Sequence, residues 1–278
     1  MSDHVVRVRD DWLALREPAD AAARSRELAE HLSPPAIGRW VIHDLGGGTG
    51  SMGRWLAPLL PGQQHWIVHD RDTDLLALAD LPGAAADGAA VTFETQQSDI
   101  TRLRHDDLTG ATLITASALL DMLTEDELAG LVSACAGAGC PILLALSVVG
   151  RVDLTPADPL DGRVAAAFND HQRRLTPRGR LLGPDAVAAA AERLGRLGAE
   201  ILVRSSPWRL GASHAELAEV WFAGWVHAAC EQLPELSAEA EAEVEVEVEV
   251  YTHRRLAQAA AGELEVIVDH ADLLALPG

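Results

Sequence analysis

The stretch Val41-Ile42-His43-Asp44-Leu45-Gly46-Gly47-Gly48-Thr49-Gly50 decides the fold. Apolar residues run into an acid and then a glycine-rich turn, and from about Met52 the apolar residues take helical spacing. That order, strand then tight turn then helix, opens a ligand-binding α/β sheet. The glycines let the backbone turn sharply and come close to a ligand where a side chain would collide. Two registers fit: Gly46, Gly48 and Gly50 give GxGxG, while Gly48, Gly50 and Gly53 give the GxGxxG of a nicotinamide dinucleotide site.

Outward from this turn the chain keeps the same rhythm. Strands are expected at Arg39–Leu45, Gln64–Asp70, Ala90–Gln96, Ala111–Ser117, Pro141–Ser147, Ala199–Arg204 and Glu263–Asp269. Helical spacing falls between them at Met52–Leu60, Thr73–Leu81, Glu125–Ala138 and Pro184–Leu197. The early strands are near-continuous in aliphatic residues, as strands buried under helices on both faces are. The expected architecture is α/β, a doubly wound, mostly parallel sheet with helical lid insertions. Val148–Leu182 and Pro207–Ala261 break the rhythm after strand ends, where open sheets bind ligands, and are read as lids. The expected division is one domain over 1–278: a helical cap at 1–38, a core at 39–147, lids at 148–182 and 207–261, and a last strand at 263–269. Ser237–Val250, Ala-Glu alternation passing into Glu-Val, formally has the period of a strand with one acidic and one apolar face, but is read as a solvated helical or frayed insertion without a role in function.

Acids close three successive strands. Asp44 precedes the glycines and suits a ligand carrying an ammonium group; beside a pyrophosphate it would be repulsive. Asp70, twenty residues after Gly50, can accept two ribose hydroxyls, a feature that dinucleotide folds share. Asp99, followed by Ile100, can accept from an adenine amino group.

Asp44-Leu45-Gly46-Gly47-Gly48-Thr49-Gly50 resembles the first motif of class I S-adenosylmethionine-dependent methyltransferases, with Gly47 standing, harmlessly, where Cys or Ala is common. Asp70 and Asp99 fall where that family keeps its ribose and adenine acids, and Ala111–Met122 looks like its fourth strand and the loop beside the methyl donor. The resemblance covers roughly Arg39–Arg204 and implies seven strands, the last antiparallel. It also implies S-adenosylmethionine as cofactor, held by Asp44, Gly46, Gly47, Gly48, Gly50, Asp70, Asp99, Ile100 and Ser117, with Arg24 on the donor's carboxylate. Trp12–Ser25, His171-Gln172, Leu182-Gly183-Pro184, Ser206-Pro207-Trp208-Arg209 and His270–Leu274 are similar to a bacterial small-molecule group of the same family.

Methyl transfer from a sulfonium needs positioning above all, plus a base when the acceptor is a hydroxyl or ammonium. His171 is the candidate base; on a helix it shares a face with Val164, Phe168 and Leu175. The alternative is a histidine packed in a helix interface. Gln172 could orient an acceptor, and Asp121 either touches substrate or leads into the next helix. Thr124 and Glu127 fit a capping box. Trp208 and Arg209 could stack on an acceptor. Trp221, Phe222 and Trp225 form a stripe read as core or dimer contact in preference to a substrate box, which leaves a homodimer open. His43, His65 and His69 are scattered without ligand spacing, and no metal is proposed.

Composition limits the rest. The net charge is −20, with 42 acids against 22 cations, which argues against nucleic acid. A local cluster, Arg173, Arg174, Arg178 and Arg180, suits a small anion better. Every cation is arginine, so lysine Schiff bases and a Walker lysine are excluded. Cys135, Cys140 and Cys230 fit neither a disulfide framework nor zinc spacing. No apolar run approaches the ~20 residues of a membrane helix, and Met1-Ser2-Asp3-His4 lacks a signal-peptide pattern. The expected setting is cytoplasmic, and the partner a small-molecule substrate. Two rivals remain: a nicotinamide oxidoreductase in the GxGxxG register, and a non-catalytic donor-binding subunit.

Overall fold

The computed structural model describes residues 10–232 and 241–278, with the backbone alone at 241–247. The expected core strands are β1 (Trp40–Leu45), β2 (Gln64–Asp70), β3 (Val91–Gln97), β4 (Leu113–Ser117) and β5 (Ile142–Thr155). Two short strands follow, β6 (Leu175–Thr176) and β7 (Gly179–Arg180), then β8 (Glu200–Ser205), β9 (Trp208–Leu210) and β10 (Glu265–Leu276). The main sheet runs β3-β2-β1-β4-β5-β10-β8, and β9 joins it by pairing with β10. Strands β1 to β5 pair in parallel, whereas β10 is antiparallel to both neighbours. A dinucleotide-binding sheet continues 3-2-1-4-5-6 without a reversed strand. The inserted β10 sets this sheet apart and matches the seven-stranded expectation.

Helices cover both faces. They are α1 (Asp10–Ala23), α2 (Arg26–Glu30), α3 (Ser51–Leu56), α4 (Thr73–Ala77), α5 (Glu125–Gly137), α6 (Asp161–Gln172), α7 (Ala186–Arg196), α8 (Ala215–Cys230) and α9 (Glu241–Ala260). On one face Leu45, Ile114 and Leu144 pack against α5 and α7; on the other Ile42, Trp66 and Leu143 pack against α2 and α3. The box predicted at Thr124 and Glu127 caps α5 in both directions. Cys135, Cys140 and Cys230 are free thiols, and burial pushes Cys135 up to about 12. No helix among the described residues is long and apolar enough to cross a membrane.

Several boundaries differ from expectation. The helix expected over Thr73–Leu81 ends at Ala77, because the chain turns to seat Leu81 against Gly50 and Gly53. The strand expected at Pro141–Ser147 continues to Thr155, so the first eight residues assigned to a lid are sheet. The last strand is Glu265–Leu276, not Glu263–Asp269; its Ala271–Leu276 half pairs with β8. Its first half pairs with the outer part of β5 and with β9, a ribbon projecting beyond the parallel strands' carboxyl ends. Two register shifts accompany the departure, at Ala271/Leu273 and at Val268/His270. Leu146 and Gly150, both with positive φ, lie on β5 opposite these shifts. Bulges of this kind bend a strand and increase its twist. Around the ribbon, α6, α8 and α9 share a core of their own that includes Leu154, Trp208, Phe222, Trp225, Tyr251 and Val266. Trp221, Phe222 and Trp225 belong to it, as the core reading had it. Within Ser237–Val250, residues 241–250 are helical and 237–240 lie outside the described residues.

Candidate active site

The glycine turn gathers the predicted residues at the strands' carboxyl ends. Gly46, Gly48 and Gly50 take positive φ, and Gly50 caps α3. Asp70 closes the turn from β2: one carboxylate oxygen accepts from the Gly48 N–H at 3.0 Å and the other from Asp72 N–H at 2.9 Å. A carboxylate has about four acceptor positions, so Asp70 keeps capacity for further donors. A Cβ at Gly53 would lie 2.5 Å from Leu81, so packing explains the last glycine of the GxGxxG register. Gly47 is not the neutral choice the sequence suggested. A Cβ there would meet Asp44 Oδ2 at 2.5 Å and Val68 Cγ1 at 2.8 Å.

Asp44 is buried on the last turn of β1. Its Oδ1 accepts from the Thr115 hydroxyl at 2.8 Å, and its Oδ2 is buried with no partner. Burial raises its pKa to about 7, opposed by the Thr115 hydrogen bond and the Arg24 charge. Arg24 is also buried rather than solvated. Its guanidinium donates to the Ser51 carbonyl and hydroxyl and to Ser117 Oγ at 3.0 Å, and lies 5.7 Å from the Trp55 ring. Its Nε is buried without an acceptor, and burial lowers its pKa. A buried unpaired acceptor and a buried unpaired cationic donor thus lie within electrostatic reach of each other. An α-amino acid head group, ammonium toward Asp44 and carboxylate toward Arg24, would satisfy both.

The amino-terminal helix supplies the roof. Trp12, Arg16, Asp20 and Arg24 recur every fourth residue and so share one line on the inner face. Arg16 forks onto Asp20 at 2.9 and 3.2 Å, and Asp20 accepts from the Trp208 indole at 2.9 Å. Trp208 is therefore a buried support under α1, not the exposed stacking surface the sequence suggested, while Arg209 is exposed. Arg54 of α3 grips Glu17 of α1 with both carboxylate oxygens at 2.6 Å. Leu13 and Leu119 are the side chains nearest Gly48 and Gly46 and wall the turn. Asp272, also buried, ties the parts together: it accepts from Ser25 N–H, Leu146 N–H and Ser206 Oγ at 2.7, 2.8 and 2.6 Å.

The remaining predicted residues disperse. Asp99 caps a short 3₁₀ turn, accepting from Thr101 N–H and Oγ1, and its side chain is about half exposed. Ile100 packs on the core beside it. Asp121 sits after β4 within reach of Arg16 and Arg174, its pKa raised by burial. His171 lies at the end of α6 with Nδ1 3.2 Å from Glu231 Oε2 of the α8 terminus, without hydrogen-bond geometry. Burial, then Arg174, lowers its pKa. Leu175 is not on its face, because α6 ends at Gln172 and Leu175 is exposed on β6. Arg174 is the shared neighbour of Asp121 and His171. Arg173 and Arg178 pair with Asp185 and Glu127, so two of the four arginines of the cluster are neutralised.

Sequence reasoning gave no role to Arg16, Asp20, His270 or Asp272. The four-residue spacing from Trp12 to Arg24 was the signal for the first two. His270 packs on Trp208 with ring centroids 5.3 Å apart, and burial pushes its pKa down to about 4. His43 and His69, which the sequence left scattered, are in contact: Nδ1 of His43 lies 2.9 Å from Nε2 of His69, whose Nδ1 is 3.0 Å from Ser98 Oγ. Among the described residues no group of three or more His, Cys, Asp or Glu is placed to hold a metal ion.

No family model and no curated protein matches the sequence. Solved structures similar to the chain include the cyclopropane synthase MmaA2 from Mycobacterium tuberculosis, at 14% identity over 96% of this chain and 87% of that one, with a TM-score of 0.43. An S-adenosylmethionine-dependent methyltransferase from Geobacter sulfurreducens, in complex with S-adenosyl-L-homocysteine, is 14% identical over 99% and 100% of the two chains, with a TM-score of 0.43. An O-methyltransferase family protein from Burkholderia thailandensis is 17% identical over 70% of this chain and 54% of that one, with a TM-score of 0.45. The architecture rests on the strand order itself.

Proposed function

We propose that the chain is an S-adenosylmethionine-dependent methyltransferase acting on a small-molecule acceptor. The observation that carries this reading is the unmet pair under α1: Asp44 Oδ2 and Arg24 Nε, both buried and both without partners, beside a glycine turn. In this reading Asp44 faces the ammonium of the methionyl head, and Arg24, with Ser117 and Ser51, holds its carboxylate. Gly46, Gly47, Gly48 and Gly50 give backbone room, Asp70 accepts the ribose hydroxyls, and Asp99 with Ile100 bounds the adenine. When bound, the cofactor supplies a methyl group on a positively charged sulfur, ready for in-line displacement. The protein's own contribution is to orient the acceptor, exclude water and take up a proton where the acceptor is a hydroxyl or ammonium. His171 and Asp121 remain the candidates for that proton. Arg174 between them favours the ionised carboxylate and the neutral imidazole, the forms able to accept one.

The reversed strand β10 and the packing role of Gly53 favour this reading over a nicotinamide oxidoreductase. The net charge of −20 favours a small acceptor over nucleic acid. Titration calorimetry with S-adenosylmethionine, S-adenosylhomocysteine and NADH tests the cofactor. The expected result is saturable binding of both adenosyl ligands, lost in Asp70→Ala and in Arg24→Ala, with no binding of NADH. Binding of NADH alone overturns the reading. Adenosyl binding without turnover on any acceptor in a screen would leave a donor-binding subunit instead.

A further inference from the structure

A second cleft opens where β5 leaves the main sheet, between α6, α8 and the β5–β10 ribbon. Val148, Val152, Phe168, Trp225 and Val268 give it apolar walls, with Gln172 among them. Two polar atoms of this lining are buried with no partner: the Trp225 indole Nε1, on a residue 2% exposed, and Gln172 Oε1. Buried donors and acceptors are seldom left unpaired, because each forfeits its hydrogen bond to water. The indole is held in place by ring contacts with Phe168, Trp221 and Phe222 at 6.3, 5.4 and 5.8 Å. Nearby groups are already engaged. Asn169 donates to the Gly150 carbonyl, and Arg151 at the mouth pairs with Asp153 and faces Asp269. Among the described residues lining the cleft no cation is therefore left over to balance an anionic ligand.

Position ties the cleft to the glycine turn. Its first residue, Val148, follows Ser147, whose buried hydroxyl also lacks a partner. Two residues earlier, Ala145 pairs with Ser117, the residue that Arg24 contacts. We infer that this cleft binds the acceptor, and that the acceptor is an uncharged aromatic ring bearing a group that both accepts and donates a hydrogen bond, such as a phenolic hydroxyl. That group accepts from Trp225 Nε1 and donates to Gln172 Oε1. A carboxylate would oppose the Gln172 oxygen with no cation in reserve, and an ammonium, which has no lone pair, could not accept from Trp225 Nε1. The ligand's role as methyl acceptor rests on the methyltransferase reading; the binding site does not. The enclosed floor has room for about one water. A ring therefore enters as α6 and α8 part, and a bridging water is the rival occupant.

Phenol and benzoate, titrated calorimetrically into the full chain with and without S-adenosylhomocysteine, test this. Phenol is expected to bind saturably at one site and benzoate more weakly. Trp225→Phe, which keeps the ring and removes the donor, and Gln172→Leu should each weaken phenol about three- to tenfold. Ala165→Phe, which fills the cleft from α6, should abolish phenol binding and leave S-adenosylhomocysteine affinity unchanged. If Trp225→Phe fails to fold by circular dichroism, the other two variants carry the test. Phenol that does not saturate, or binds all three variants alike, overturns the inference and leaves a bridging water only. Benzoate binding more tightly than phenol overturns it as well. Phenol binding without adenosyl binding would sink the methyltransferase reading and keep the site; the reverse result does the opposite.

Discussion

Asp44 has one carboxylate oxygen on Thr115 and the other on nothing, inside protein that gives it no water. Desolvation holds its proton to about pH 7, against 3.8 for an ordinary aspartate. Between those values the folded state binds more protons than the unfolded one, so this residue's contribution to stability falls as pH rises through the window. A ligand ammonium reverses the balance, because it binds only the ionised form. Adenosyl ligands should therefore tighten as pH rises and level off above about 7. At pH 6 the affinity should be about tenfold weaker than at pH 8, since one proton must leave per ligand. Calorimetry in buffers of different ionisation enthalpy reads that proton directly. Asp44→Asn should flatten the profile, and a wild-type affinity independent of pH would remove Asp44 from the ammonium site. Its neighbour makes a steric counterpart. Gly47→Ala puts a methyl 2.5 Å from Asp44 Oδ2, so the carboxylate must swing away. Adenosyl affinity should fall at least about tenfold, the effect of losing one charge-assisted hydrogen bond, while the melting temperature changes little. An unchanged affinity would mean that the acid and Val68 simply give way.

The elements β5 and β10 are irregular together, at the point where both leave the main sheet. Where Asp272 faces the bulge, its carboxylate accepts from Leu146 N–H, and Leu146 has a φ of 54° that non-glycine residues rarely adopt. The same side chain anchors Ser25 at the end of the α1 roof and Ser206 between β8 and β9. Asp272→Ala would orphan three donors, at ~1–3 kcal/mol for each one that stays buried. Urea unfolding should register a loss of at least about 3 kcal/mol, a large share of the ~5–15 kcal/mol that holds a domain together. Asp272→Asn, which keeps an acceptor oxygen, should recover part of it; a loss under about 1 kcal/mol for the alanine would mean water replaces the carboxylate. This tie also marks the limit of what the sequence made legible. Strands β1 to β4 could be read within two residues because short apolar or β-branched runs closing at an acid, a glycine or another polar residue announce themselves locally. Asp44, Gly48 and Asp70, which meet at the glycine turn, could be read for the same reason. The outer half of β5 could not, since a ribbon with one wet face has no continuous apolar run, and the missed half of β10, Ala271–Leu276, is a buried run of the main sheet that Asp272 interrupts. Nor could the partnership of Asp272 with Leu146, 126 positions apart, which only the register creates. Trp208 was misjudged because a tryptophan beside an arginine reads as a surface motif until Asp20 is known to lie over it.

At the scale of the whole molecule, two hydrophobic cores flank the sheet and a third lies under α6, α8 and α9. Separate cores invite separate unfolding, yet three features argue against it here. The 14 residues of β5 and the 12 of β10 run unbroken from the main sheet into the ribbon, so neither region can lose its strands alone. The roof helix also belongs to both, with Ala19 in the lid core and Arg24 on Ser117 of the main sheet. Finally, the Asp272 carboxylate sits on the boundary and bonds to both sides. The chain should therefore unfold in one cooperative transition. The tryptophans provide reporters for each part: Trp66 is fully buried in the main sheet and Trp225 is 2% exposed in the lid core. Variants in which all but one tryptophan are replaced by phenylalanine, one retaining Trp66 and the other Trp225, should each lose fluorescence in urea over the range in which that variant's far-ultraviolet circular dichroism is lost. Salt should move both signals upward together, because screening relieves the self-repulsion of a chain carrying a net charge of −20. If the Trp225 signal falls at lower urea than the circular dichroism, the lid is a cooperative unit of its own. The continuous strands would then be hinges instead of struts, and the region of the third core would have a local unfolding equilibrium of its own.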